Sequence, residues 1–172
     1  MPNQTHSRMV LPPGTKASSV LAILHNHGKV FTINDYVKTY QLLDPSSPLR
    51  GNAPSDVPVY EIVEDIPYLP YGLWMGTVRY IVQMHNLPDG LHTIVRAPAG
   101  VATNNTWKIV AGDENEHAGA TEGSKDDKLV LEQTSKIECN RLYTLYVKST
   151  LTTSHESFHR KLIQSLYESH ET

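Results

Sequence analysis

The chain has 172 residues, of which 39% are hydrophobic and 19% charged, and its formal net charge is -3. That length suits one domain with a substantial core, and the composition excludes intrinsic disorder, a membrane span and the basic surface that nucleic-acid binding requires. A lone cysteine, Cys139, has no partner for an internal disulfide, and the N-terminus lacks the apolar run of a secretory signal; we therefore expect a single domain over residues 1–172 in the reducing cytoplasm.

Thr5 to Leu11 alternates and ends at Pro12-Pro13-Gly14, which predicts a first strand closed by a turn. Thr15 is placed to cap a short helix in which Val20, Leu21 and Leu24 recur at helical spacing, with Gly28 as its left-handed C-terminal cap. Val30 to Leu43 is rich in β-branched and aromatic residues and predicts a strand, broken near Asn34-Asp35. Residues 44–56 hold Pro45, Pro48, Gly51 and Pro54 and predict a loop. Further strands are predicted at Val59–Ile66, Leu73–Met84, Leu91–Ala97, Val101–Ala111 and Lys128–Glu138. Pro88-Asp89-Gly90 predicts a hairpin whose glycine is free to take positive φ. Residues 112–126 are polar, small and acidic, and predict a surface loop.

From Asn140 to Glu171 the pattern is one long amphipathic helix. Leu145, Leu151, Leu162, Ile163 and Leu166 share an arc flanked by Phe158, and His155 and His159 interrupt it, with Lys148 and Thr152 beside them. A buried imidazole without a partner costs roughly 1–3 kcal/mol, so polar groups on that stripe suit a ligand site better than a filled core. The fold class is thus α+β: about seven antiparallel strands, a short helix after the first, and a long C-terminal helix.

Successive side chains on a strand point to opposite faces, which separates an interior set from an exterior one. Val78, Tyr80, Val82 and Met84 oppose Arg79 and Gln83; Leu91, Thr93 and Val95 oppose His92 and Arg96. Thr103, Asn105, Trp107 and Ile109 oppose Lys108, and Leu129, Leu131, Gln133, Ser135 and Ile137 oppose Lys128, Glu132 and Lys136. The interior is apolar with scattered polar points, the composition of a small-molecule pocket. For any one of those points, mutual satisfaction within a filled core is an equally good account, and only the set argues for a cavity.

The element order, with Tyr68-Leu69-Pro70-Tyr71-Gly72-Leu73-Trp74, Leu87-Pro88-Asp89-Gly90, Arg96-Ala97-Pro98-Ala99-Gly100 and Ser154-His155-Glu156-Ser157-Phe158-His159-Arg160, resembles the helix-grip superfamily of Bet v 1, START and polyketide-cyclase proteins. Those segments are similar to a family of small fungal proteins of unknown function. The resemblance implies an apolar ligand between sheet and helix, either carried or cyclised, including pericyclic closure of a terpenoid or polyketide in secondary metabolism. Fold alone does not decide the chemistry.

His155-Glu156-Ser157-Phe158-His159 also matches H-E-x-x-H, the helical motif that presents two imidazoles to zinc and a glutamate as general base. A third ligand would have to come from Glu168, His170 or Glu171, or from His85 or His92 if the fold brought one close. We therefore assign no metal and no organic cofactor, and rank a zinc hydrolase third, behind a cofactor-free cyclase or isomerase and a non-catalytic carrier. The candidate catalytic groups are His155, His159 and Tyr80, since a neutral imidazole gives or takes a proton near physiological pH. The candidate ligand-binding residues are Trp74, Val78, Thr93, Thr103, Asn105, Trp107, Leu131, Gln133, Ser135, Lys148 and Thr152.

Overall fold

The structure is a computed structural model that describes residues 3–67, 75–112, 128–140 and 158–167. Its strands are β1 (Asn3–Val10), β2 (Val37–Leu42), β3 (Val59–Pro67), β4 (Met75–Leu87), β5 (Gly90–Ala97), β6 (Val101–Ala111) and β7 (Leu129–Glu138). They form one antiparallel sheet in the order β1-β7-β6-β5-β4-β3-β2. From β2 to β7 each strand pairs with the next in sequence, whereas β1 pairs with β7 from the other end of the chain. The helices are α1 (Ala17–Leu24), α2 (His27–Ile33) and α3, residues 158–167.

One face of the sheet is covered. α1 contributes Val20, Ile23 and Leu24, α2 contributes Phe31 and Ile33, and α3 contributes Phe158, Leu162 and Leu166. The four-residue spacing in α3 puts its three on one stripe. They join Met9, Ile62, Val82, Met84, Leu91 and Leu131 in one buried cluster, and each such side chain removed from water contributes about 1.5–3 kcal/mol. Lys161 of α3 also pairs with Asp35, in the turn between α2 and β2.

The predicted strand from Val30 is a correction. His27–Ile33 is helical, and a strand resumes only at Val37. The Asn26 side chain accepts from the Lys29 amide at 3.1 Å and caps α2, while Phe31 packs on Tyr40 and Tyr60 at centroid distances of 5.0 Å each. Core packing of Phe31 and Ile33 overrides the weak helix propensity of Val30, Thr32 and Ile33. Gly28 lies inside α2 and does not take the positive φ expected of a cap. Thr15 does not cap α1 either: its hydroxyl is buried with no partner among the described residues, and the Lys16 carbonyl accepts the first turn's amides.

The hairpin at Pro88-Asp89 forms as predicted, with Leu87 facing Gly90, yet the glycine has a different cause. Gly90 does not take positive φ. A Cβ there would lie 1.8 Å from the Trp107 carbonyl oxygen, so close approach of β6 to β5 demands the missing side chain. The next connection contains Ala99 at φ 59°, a left-handed conformation that costs an L-residue roughly 1–2 kcal/mol.

Gln83 stands on the outer face as predicted but is only 7% exposed, and its cross-strand partner Val59 is fully buried. The segment between β2 and β3 lies back on that face. There Arg50 donates to the Pro54 and Val57 carbonyls at 2.9 Å each, and Arg96 donates to the Arg50 carbonyl at 2.7 Å.

These two turns should respond oppositely to exchange of one methyl group. In urea unfolding, Gly90→Ala is expected to lose stability near the upper end of the roughly 1–3 kcal/mol typical of overpacking, and Ala99→Gly to gain about 1 kcal/mol by relieving the left-handed strain. Equal stabilities for Gly90→Ala and the parent chain would contradict the contact.

Candidate functional site

Because directly paired residues share a face, the register places the interior side chains in rows across the sheet. One row runs Ser7, Gln133, Trp107, Leu91 and Asn86 through β1, β7, β6, β5 and β4. The next runs Thr5, Ser135, Asn105, Thr93 and Met84, and a third runs Ile137, Thr103, Val95 and Val82. Every strand residue assigned to the interior from alternation, including Leu131, Val78 and Tyr80, falls on this inner face. The Val78 pairing with Glu64 and the Tyr80 pairing with Ile62 extend it to β3.

Five polar side chains in these rows are deeply buried. Gln133 is 1% exposed, Ser135 0%, Thr93 4%, and Asn105 and Thr103 5% each. The Asn105 amide nitrogen donates to the Thr93 and Thr103 hydroxyls at 3.2 Å, which turns its Oδ1 away from them. That Oδ1, both amide atoms of Gln133, the Ser7 and Ser135 hydroxyls and the Trp107 Nε1 are buried with no hydrogen-bond partner among the described residues. Each unmet group costs about 1–3 kcal/mol. Six of them in one contiguous patch would consume a large share of the roughly 5–15 kcal/mol by which a domain is stable, so the patch is built to meet something.

A second polar group sits on the β3–β4 side. The Tyr80 hydroxyl and the Asn34 amide both donate to Glu64 Oε1 at 2.6 Å, and no bond to Oε2 forms among the described residues. Burial pushes the Glu64 carboxyl above its ordinary value against the opposing effect of the Tyr80 bond. Burial also raises the Tyr80 phenol well above its usual value, helped by the Glu64 charge and the hydrogen bond between them. Burial thus favours the protonated form of both groups, and the hydrogen bond between them gives a path along which a proton can move. Nearby, His27 bonds the Asn86 Oδ1 through Nε2 at 2.9 Å and the Tyr60 hydroxyl through Nδ1 at 3.2 Å. The Asn86 acceptor places the imidazole proton on Nε2 and leaves Nδ1 to accept from Tyr60.

Of the residues singled out from sequence, Trp74, Lys148, Thr152 and His155 lie outside the described residues. His159 is on α3, half-buried, its ring 6.4 Å from Phe158, which in turn lies 6.0 Å from Trp107. His85 and His92 face each other at 5.7 Å on the outer face, where His92 Nδ1 meets the Thr106 hydroxyl at 2.9 Å. The sheet stands between them and α3, so neither can complete a zinc set with His159, and no cluster of three metal-ligating side chains occurs among the described residues.

Sequence reasoning missed Glu64, Asn34, His27 and Ser7. For two of them the signal was present: Glu64 has the same strand parity as Tyr60 and Ile62, and Ser7 that of Thr5 and Met9. Asn34 and His27 had none, since their partners are about 30 and 60 residues distant in the chain.

The Glu64 shift sets a pH dependence. A carboxyl whose folded pKa is raised binds its proton more tightly in the folded state, so stability falls as pH climbs from the ordinary 4.5 through the raised folded value. In urea unfolding from about pH 4 to about pH 8, Glu64→Gln, which keeps an acceptor for Tyr80 and Asn34, should lack this decline and be the more stable protein at the high end. Parallel curves for the two proteins would refute the assignment.

A family model described as a domain of unknown function, DUF7053, matches residues 2–168. No curated protein sequence matches the chain significantly. Among solved structures it is similar to a START superfamily protein from Mycobacterium smegmatis, with a TM-score of 0.63 and 12% identity over 96% of this chain and 97% of that one. The protein TTHA0849 from Thermus thermophilus gives a TM-score of 0.60 at 12% identity, covering 97% and 99% of the two chains. The di-domain ARO/CYC protein StfQ from the steffimycin biosynthetic pathway gives 0.62 at 11% identity, over 98% of this chain and 52% of that one. At such identities the likeness concerns the fold, which is the helix-grip fold. The chain belongs to the DUF7053 family, whose architecture here is that of START-like proteins and polyketide cyclases.

Proposed function

We propose that this single-domain protein binds a hydrophobic small molecule between the inner sheet face and the helices, and converts it by a cyclisation or isomerisation that needs no metal or organic cofactor. The observation that carries the binding step is the patch of buried polar atoms without partners among the described residues, set in a largely apolar interior. A filled core does not retain such a patch, whereas a ligand site needs one to orient what it holds.

The chemical step rests on Tyr80 and Glu64. A carboxyl whose burial favours its protonated form, hydrogen-bonded to a phenol, can give a proton to a bound molecule and take it back once the bonding rearranges. His155 and His159 are proposed as further proton-handling or orienting groups from the C-terminal helix. Most of the rate enhancement would come from holding a reactive conformer while water is excluded. Ring closure of a terpenoid or polyketide intermediate, including a pericyclic one, is the reaction class that asks least of the side chains. The solved ARO/CYC relatives support that choice by their fold. The cytoplasm is the proposed compartment, in keeping with the lone Cys139, and no helix among the described residues is long and apolar enough to cross a membrane.

Native mass spectrometry of the protein incubated with an extract of apolar metabolites should show a stoichiometric adduct, and the recovered compound should differ from the one supplied. Tyr80→Phe and Glu64→Gln should each lower turnover by about 10²-fold or more, with affinity within roughly tenfold of the parent. A bound compound recovered unaltered after prolonged incubation would establish a carrier instead.

A further inference from the structure

We infer that the molecule held in this interior ends in an uncharged, oxygen-bearing group that both donates and accepts hydrogen bonds, such as a hydroxyl beside a carbonyl, seated on Ser7, Trp107, Gln133, Ser135 and Asn105. The inference rests on the binding proposed above and names the class of ligand.

Three observations converge on it. The first is the sorting of the unmet atoms. Trp107 Nε1 only donates, Asn105 Oδ1 only accepts, and the Gln133 amide presents one atom of each kind. The hydroxyls of Ser7 and Ser135 serve either way. A group with acceptors alone, such as a carboxylate or an ether, would satisfy Trp107 and leave Asn105 Oδ1 unmet; a hydrocarbon end would satisfy none. The Asn105 atom cannot turn to suit a different ligand, since its amide nitrogen is already committed to Thr93 and Thr103.

The second is charge. The inner-facing positions of β1, β7, β6 and β5 carry no acidic or basic side chain: Arg8, Lys108, Glu132 and Lys136 all have outer-face parity. Arg8 is moreover paired with Glu132 at 3.1 Å, and Lys108 with Asp89 at 3.2 Å. An anionic or cationic ligand end would find no counter-charge on these strands, and an apolar interior resists an unpaired charge strongly.

The third is placement. Ser7, Gln133 and Trp107 lie in one register row and Ser135 and Asn105 in the next, so the five side chains form a patch three strands wide. Toward β4 the first row continues through Leu91 to Asn86 at the exposed hairpin end, and the second through Thr93 to Met84; Leu91 and Met84 are both essentially buried. The oxygenated end would therefore lie under β1, β7 and β6, and the apolar remainder would run toward β4 and the Tyr80–Glu64 pair.

Three probes of one shape separate the possibilities: naphthalene, 2-naphthol and 2-naphthoate, titrated calorimetrically at neutral pH into the intact protein. The expected result is that 2-naphthol binds at least about tenfold more tightly than either of the others. Gln133→Leu and Ser135→Ala should each weaken 2-naphthol by about tenfold while keeping naphthalene within roughly threefold of the parent, which also shows that the variants fold. Tighter binding of 2-naphthoate would overturn the inference, as would equal binding of naphthalene and 2-naphthol, or a 2-naphthol preference that survives both substitutions. In those cases the interior still binds small molecules and the proposed function stands. Failure of all three probes to bind would overturn that reading, and this inference with it.

Discussion

The register of β7 between β1 and β6 is the constraint from which the rest follows. Because side chains alternate with a period of two, a slip of one residue would exchange Leu131, Gln133, Ser135 and Ile137 for Val130, Glu132, Thr134 and Lys136 on the inner face. Two charges would then enter the interior. The outer face reinforces the correct pairing, since Arg8, Glu132 and Lys108 lie opposite one another across three strands and Arg8 bonds Glu132 at 3.1 Å. A single such surface pair contributes about 0–1 kcal/mol, so the decisive term is the cost of burying the wrong face.

With that register set, the inner face acquires two kinds of polar equipment in different states. Around Glu64 one carboxyl oxygen is met within the protein: Tyr80 and Asn34 both donate to Oε1, and burial favours the neutral acid. Around Gln133 the bonds are not made, although the side chains are more deeply buried. A hydrogen-bonded pair holds its geometry before anything binds, whereas an unsatisfied patch stores the free energy that binding releases. Placing both on one sheet face is a stability sacrifice of the kind found at sites that have a ligand to receive.

The short helices have a role beyond cover. His25, just after α1, donates to the Leu87 and Gly90 carbonyls at 3.1 and 2.9 Å, and His27, opening α2, bonds Asn86 in the same hairpin. The β4–β5 turn is thereby tied to the segment between α1 and α2. Asn34, which ends α2, reaches Glu64, and Asp35 beside it pairs with Lys161 of α3. The end of α2 thus links the acid–tyrosine pair to the C-terminal helix through two adjacent contacts.

Alternation in the amino-acid sequence determined the α+β class, the positions of six of the seven strands, and the assignment of Thr93, Thr103, Asn105, Trp107, Gln133 and Ser135 to one face, because parity along a strand is a local property. It determined the Pro88-Asp89 hairpin too, but not why residue 90 is glycine, since the close Trp107 carbonyl belongs to another strand. α2 was illegible for the same reason: Val30, Thr32 and Ile33 prefer strand locally, and only Tyr40 and Tyr60, brought in by β2 and β3, make the helix the better place for Phe31. Only the tertiary structure decided that Gln83 is buried on the outer face, that His85 and His92 stand apart from α3, and that Glu64 meets Tyr80 and Asn34. Those outcomes depend on contacts between residues far apart in sequence, which periodicity does not encode.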